Sequence, residues 1–336
     1  MKKYIIQRLL LGVIVLFGVV VISFVITRIL PADPAMKLVG ARATEAQLEQ
    51  ARLELGLDQP VAVQFGHYIV RLLHGDLGIS LRSKRPVAEE IGEAFPATLE
   101  LVLLAMFCAV IIGIFFGIIS AKYKNKLPDH FVRIIAIGSV SLPAFWVALA
   151  LQLLFYGTLK ILPLGGRIST NIRILYELPQ ITGFLLLDSL ISGKFLIFRN
   201  ALSHIILPII PVALYPIGMV ARLTRSSLLE ILGEDYITAE KSYGIRERFI
   251  LWVYALKNTM GATVTVVTLS IGYALVNTFL VESIFNWPGI GKYVADAILS
   301  MDYPAIMGVT LLSAIIYSVL NLIADLIIAS DPRIRI

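Results

Sequence analysis

The sequence is short of the residues from which most enzymes and extracellular scaffolds are built. Its single cysteine, Cys108, lies inside an apolar run, so no intrachain disulfide can form and the thiol reads as a small buried side chain. Four histidines, His67, His74, His130 and His204, are scattered without metal-ligand spacing, which leaves no metal site to assign. Charge is scarce: 15% of residues are charged against 58% hydrophobic, and a mean hydropathy of +0.85 excludes a soluble globular chain. Phosphate-loop chemistry is missing as well. In "WPGIGKYV", Gly291-Lys292 resembles the end of a GxxxxGK[ST] loop, but the first glycine would fall on Asn286. HExxH, GxSxG and paired-cysteine motifs are also absent. The chain therefore reads as non-catalytic, with no cofactor; if it transports actively, the energy source lies on another chain.

What is present is a set of uncharged runs near the roughly 20 helical residues needed to cross a bilayer. Six qualify: Leu9–Thr27, Leu101–Ala121, Ile134–Leu159, Ile205–Ala221, Thr259–Val281 and Ala305–Ala324. They predict an all-α integral membrane protein with six transmembrane helices. The start, Met1-Lys2-Lys3 with Arg8, resembles a signal peptide, but its apolar run is too long and "ILPADPAMK" has no clean small-x-small site, so it reads as a retained span.

The net charge of +6 follows membrane topology rather than nucleic-acid binding. Lys2, Lys3 and Arg8 precede span 1; Lys122, Lys124, Lys126 and Arg133 lie between spans 2 and 3; Arg333 and Arg335 close the chain, whereas the short loop after span 5 carries only Lys292. The basic segments place both termini in the cytoplasm. The predicted division is 1–30 for span 1, 31–95 for an external helical segment, 96–329 for a core of spans 2–6 that includes a cytoplasmic loop at 229–258, and 330–336 for a tail.

The external segment carries helix signals in order. Thr44 with Gln47 fits a capping box, Leu48, Ala51 and Leu55 share a face, and Gly56 follows as a stop. A second helix is expected from Pro60 to before Gly75, with Tyr68, Ile69, Leu72 and Leu73 apolar, and a third from near Pro86. Together they form a small cap that packs on the membrane domain or on a partner. In the second external segment, "LPQITGFLLLDSLISG" is too short to span and predicts an interfacial or re-entrant helix. Pro143 in span 3, and Pro208, Pro211 and Pro216 in span 4, each remove a backbone donor and predict bending.

Against this background "EDYITAEKSYGIRERF", residues 234–249, is sharply polar. Glu234 and Asp235 suit a helix start, Lys241 suits its end and Gly244 suits the residue beyond it. Tyr236, Ala239 and Tyr243 form a narrow apolar stripe, and so short a helix needs docking for stability. An amphipathic connector at the lipid interface and a lever gripped by another protein fit the pattern equally. A further helical segment, 246–258, returns the chain to span 5. Polar residues in or near the spans are Gln152, Asn277, Asn321 and Asp325. Asp325, near the cytoplasmic end of span 6 and within reach of water or a basic partner, reads as structural, with a proton or substrate role as the alternative.

The loop "RLTRSSLLEILGEDYITAEKSYGIRERFILWVYALKN" resembles that of the permease subunits of bacterial dipeptide, oligopeptide and nickel ABC importers. So do "LGLDQP" at 55–60, "HGDLGIS" at 74–80, "LVESIFNWPGIGKYVADAI" at 280–298, "DYP" at 302–304, "NLIADLI" at 321–327 and "DPRIR" at 331–335, in the family's order. With "ITGFLLLDSLI" at 181–191, the details are nearest to the first permease subunit of the dipeptide branch.

The resemblance implies a type I ABC importer permease fold. Its implied partners are a second homologous permease chain, two cytosolic ATPases, an external solute-binding protein and the lipid bilayer. It also implies that Glu234 to Gly244 form the ATPase-coupling segment, with Glu234, Asp235, Tyr236, Thr238, Ala239, Glu240, Tyr243 and Gly244 as its residues and Thr238-Ala239-Glu240 at the family's Glu-Ala-Ala-type triplet. The chain departs from the family pattern at Glu240, where a small residue is usual, and at Gly261-Ala262, where Leu-Pro often follows "ALKN". For short peptides the expected path lining on span 5 is Thr268, Ser270, Tyr273 and Asn277, positions that helix packing explains as well. The same scaffold could carry nickel, glutathione, haem or antimicrobial peptides. A proton-coupled secondary carrier and a membrane assembly protein are the alternatives from other classes.

Overall fold

A computed structural model describes residues 2–29, 34–40, 43–54 and 56–330. The chain begins with α1 (Lys2–Ile29), followed by three short helices, α2 (Pro34–Val39), α3 (Glu45–Glu54) and α4 (Val61–Leu73). Next come α5 (Val87–Lys122), α6 (Leu127–Ser141) and α7 (Ala144–Leu151), the last running into a π-helical stretch, Gln152–Thr158. Two short helices, α8 (Thr170–Leu175) and α9 (Leu185–Ile191), precede α10 (Phe195–Ile231) and the small α11 (Asp235–Ser242). A single turn, α12 (Glu247–Phe249), a π stretch at Ile250–Ala255 and α13 (Leu256–Ile284) form one continuous rod; α14 (Ile290–Leu299) and α15 (Tyr303–Ser330) complete the described chain. Among the described residues there is no strand, only an isolated bridge between Ile79 and Pro86.

Five of the six expected spans are single helices long and apolar enough to cross a membrane. The third is not straight: α6 and α7 with its π extension meet at 103°. Pro143 is the cause, because the residue before a proline is pushed out of the helical region and Leu142 is extended, at φ −81° and ψ 128°. Proline alone does not break a helix, since α10 stays continuous through Pro208, Pro211 and Pro216, all buried. The third helix expected in the external segment is also not separate; it starts at Val87 and runs on into span 2 as α5.

The helices between α1 and α5 follow their local signals. The Thr44 backbone N–H donates to Gln47 Oε1 at 3.0 Å and the Gln47 N–H to Thr44 Oγ1 at 3.4 Å, a reciprocal cap. Ala51 is buried and Gly56 takes φ +62°, while Leu55 lies outside the described residues. α4 leans on α1 through aromatic rings, with Phe24 stacked 5.7 Å from Tyr68 and Phe65 5.1 Å from Phe24.

The core is the contact between α5 and α10. Gly113 and Gly117 face Val220 and Thr224 so closely that a β-carbon at Gly117 would lie 2.5 Å from Thr224 Cβ, and small residues one turn apart are what permit two spans to approach this far. Leu101, Val102, Met106, Ile205 and Leu207 fill the adjoining layer, with Phe285 and Trp287 closing it at one end. Outward-facing Phe107, Phe131 and Ile134 remain exposed, an apolar belt that a bilayer covers. Arg8 Nε pairs with Asp325 Oδ2 at 3.1 Å, tying the start of α1 to the last turns of α15 and giving Asp325 the basic partner expected of it.

Candidate functional site

The polar loop folds as a short helix held by one buried side chain and one side-chain hydrogen bond. Glu234 precedes α11 in extended conformation, Asp235 occupies the first turn, Lys241 the last, and Gly244 takes φ +77°. The Gly244 N–H donates to Lys241 O at 3.0 Å and the Ile245 N–H to Glu240 O at 3.2 Å, which closes the C-terminal carbonyls. Ile237 is fully buried where α11 meets the π stretch, and it is the residue the apolar stripe left out. The stripe itself is open: Tyr236 and Ala239 are exposed and Tyr243 is 85% exposed. Asn258 Nδ2 donates to the Tyr236 hydroxyl oxygen at 2.9 Å, fixing the ring from the next helix. Glu234, Asp235 and Thr238 face outward, while Glu240 Oε2 is buried without a hydrogen-bond partner.

Along α6 and the later turns of α10 lies a cleft of about 400 Å³. Its floor is an ion pair that no sequence pattern singled out. Arg225 Nε and Nη2 donate to the two oxygens of fully buried Asp129, each at 2.8 Å; Ser120 Oγ donates to Oδ1 and the Asn125 N–H to Oδ2 at 2.8 Å. Such a bidentate pair has its remaining lone pairs satisfied. Its sequence signal was an acid opening an apolar run after a proline.

A second cleft, of about 290 Å³, sits at the α6–α7 bend between α10 and α13. Tyr273 and Asn277 line it, and Tyr273 stacks on Tyr215 of α10 at 4.2 Å. Thr268 and Ser270 do not line it; both are buried, and Thr268 Oγ1 donates to Val264 O at 3.0 Å. The four expected path residues therefore divide, because one helix cannot turn all of them to the same cleft.

The end of the bundle farthest from α11 is locked by buried polar contacts. Glu282 Oε2 accepts from the Gly291 N–H at 2.7 Å, at the start of α14, and Trp287 Nε1 donates to Ala97 O at 2.9 Å. Arg167 pairs with buried Glu100, and Ser80 of "HGDLGIS" donates to Asp302 of "DYP". Asp188 accepts from the backbone N–H groups of Ile181, Thr182 and Gly183 and from the Thr182 hydroxyl. Burial opposes its charge, but these donors outweigh it and hold its carboxyl below the usual aspartate range. Burial likewise opposes charge on Asp296, and Lys292 with Arg82 overcomes it and lowers that carboxyl too. No cluster of potential metal ligands is present among the described residues.

The model of the family described as "Binding-protein-dependent transport system inner membrane component" matches residues 113–336, and that of its N-terminal part matches 1–102. The chain is 46% identical over 323 residues to the "Probable D,D-dipeptide transport system permease protein DdpB" of Escherichia coli strain K12, covering 96% of this chain and 94% of that protein. It is 38% identical over 337 residues to the "Dipeptide transport system permease protein DppB" of the same strain, covering 100% and 99%. To the "Glutathione transport system permease protein GsiC" of Escherichia coli O6:H1 it is 34% identical over 336 residues, again covering 100% and 99%.

Proposed function

Because the chain belongs to the binding-protein-dependent transport system inner membrane component family, we propose that it forms half of the path by which an ATP-driven importer brings dipeptides and other short peptides across a bacterial inner membrane. It is a multi-pass permease component and not an enzyme. The observation that carries the peptide reading is end-to-end likeness to permeases of D,D-dipeptide and dipeptide transport systems. A second homologous permease would supply the other wall, a solute-binding protein would deliver cargo from outside, and two ATPases would act on the inside. The positive-inside pattern supports cytoplasmic termini and a cytoplasmic α11.

In this reading α11 is the coupling segment. Ile237 anchors it to its own chain, leaving Tyr236, Ala239 and Tyr243 open to an ATPase groove. The cleft at the α6–α7 bend is the path, with the Tyr215–Tyr273 pair and Asn277 offering apolar and polar contact without a fixed charge. A proton-coupled carrier is disfavoured, since the acid expected to serve it, Asp325, is paired with Arg8. Glutathione is a second cargo reading, favoured by the likeness to the glutathione permease.

The test is uptake of labelled dipeptide and, in parallel, labelled glutathione into vesicles holding the purified importer with its binding protein. ATP-dependent dipeptide uptake is expected, with none from this chain alone. Uptake by the lone chain that collapses with the proton gradient would replace the reading with a secondary carrier, and uptake of glutathione only would change the cargo.

A further inference from the structure

The two clefts adjoin: Val140 and Ser141 line both, one at the helix bend and the other along α6 and α10. The chemistry changes from the first to the second. The upper part presents neutral side chains, whereas the lower part is lined by Arg133, Arg222 and Arg225 against apolar Ala136, Ile137 and Val140.

Asp129 neutralises one of these charges. It is held bidentately by Arg225, which is thereby committed. Arg133 lies only within 3.7 Å of Asp129, its Nε is buried with no hydrogen-bond partner, and its Nη2 meets His130 Nδ1 at 2.6 Å. The Nη2 of Arg222 has Met219 Sδ at 3.3 Å, and a thioether is a weak acceptor. Two guanidinium groups therefore keep donors and net positive charge for an incoming oxyanion.

We propose that this lower cleft is an exit station that takes the C-terminal carboxylate of the transported peptide. The inference rests on the peptide-permease reading above. A carboxylate is the negative group that every unmodified short peptide carries whatever its side chains, so a station reading it serves cargo of varied sequence. Arg222 is exposed and Arg133 half-exposed, which keeps the pairing weak, and a path must bind cargo loosely enough to release it. The cleft also lies on the last turns of α10 before α11, so a movement of α11 reaches these arginines before it reaches the tyrosine pair.

The test measures peptide delivered per ATP hydrolysed by the complete importer in phosphatidylcholine vesicles. Arg133→Gln with Arg222→Gln should lower this ratio about fivefold, the scale of a lost solvent-exposed ion pair, with solute-stimulated ATP hydrolysis retained. Arg133→Lys with Arg222→Lys should keep most of the ratio and guards against misfolding, and Arg225 is left intact because it holds Asp129. An unchanged ratio in the glutamine variant overturns the station. A loss that appears only when phosphatidylglycerol is added to the vesicles assigns the arginines to lipid phosphate and overturns it too. Absence of dipeptide uptake by the unmodified importer would instead defeat the peptide reading on which the station rests.

Discussion

Asp129 is the residue on which the end of the bundle near α11 depends. It is fully buried, opens α6, and is bonded to α5 through Ser120 and to α10 through Arg225. Removing one member of such a pair leaves the other charge uncompensated, whereas removing both can be nearly neutral. The neighbouring cleft lets water reach Arg225, whose side chain keeps 21% exposure, so the cost belongs at the low end of the range. Asp129→Ala should destabilise the detergent-purified chain by about 3 kcal/mol, and Asp129→Leu with Arg225→Met should recover most of that loss. Thermal unfolding followed by tryptophan fluorescence measures both; a double variant no better than the single would show that the pair is not the unit of stability. This pair was illegible in the sequence because its members lie 96 residues apart and no local period relates them. Asp325, by contrast, was legible as structural, because an acid near the end of an apolar run needs a partner.

At the scale of elements, spacing of small residues and neighbourhood decide more than propensity. The α5 glycines lie one turn apart on the face that meets α10, and a side chain at either would overlap a β-carbon of the facing helix. Gly117→Val should force the helices apart, lowering the folded yield and costing about 2 kcal/mol, as overpacking does. Gly18→Ala on α1, where nothing lies within 4 Å of the added carbon, should be neutral or slightly stabilising by the same fluorescence measurement, because alanine favours a helix over glycine. A comparable loss there would mean that the α5–α10 contact does not set the effect. The sequence displayed Gly113 and Gly117 without showing what they touch. It displayed the prolines too, yet of these four only Pro143 interrupts its helix, because packing on α5 and α6 keeps α10 continuous through the three others. Short local signals fared better: the Thr44–Gln47 cap and Gly56 occur as read, since each needs only its own few residues.

At the scale of the whole molecule, the proposed drive and the proposed path are separate places that one helix connects. α10 runs from the polar locks at the far end, past the tyrosine cleft and the arginines, and hands the chain to α11. Composition and charge distribution made this arrangement legible as spans and a polar loop. They did not reveal that Ile237 would anchor the loop or that span 3 would bend, because both depend on contacts far along the chain. A change confined to α11 should therefore separate ATP hydrolysis from transport without unfolding the bundle. Gly244 provides it. A β-carbon there meets nothing within 4 Å, so the penalty of Gly244→Ile comes only from φ +77°, about 1–2 kcal/mol for a branched side chain in the left-handed region. An eight-residue helix is too short to absorb that cost alone, so its C-terminal turn should refold and tilt Tyr243 away from a groove fitted to it. The expected outcome is normal insertion and melting of the permease, with ATP hydrolysis by the assembled importer no longer stimulated by loaded binding protein. Gly244→Asn, which tolerates the left-handed region, should retain most of the stimulation. Stimulation unchanged in the isoleucine variant would detach α11 from the drive and leave its exposed tyrosines to the lipid interface.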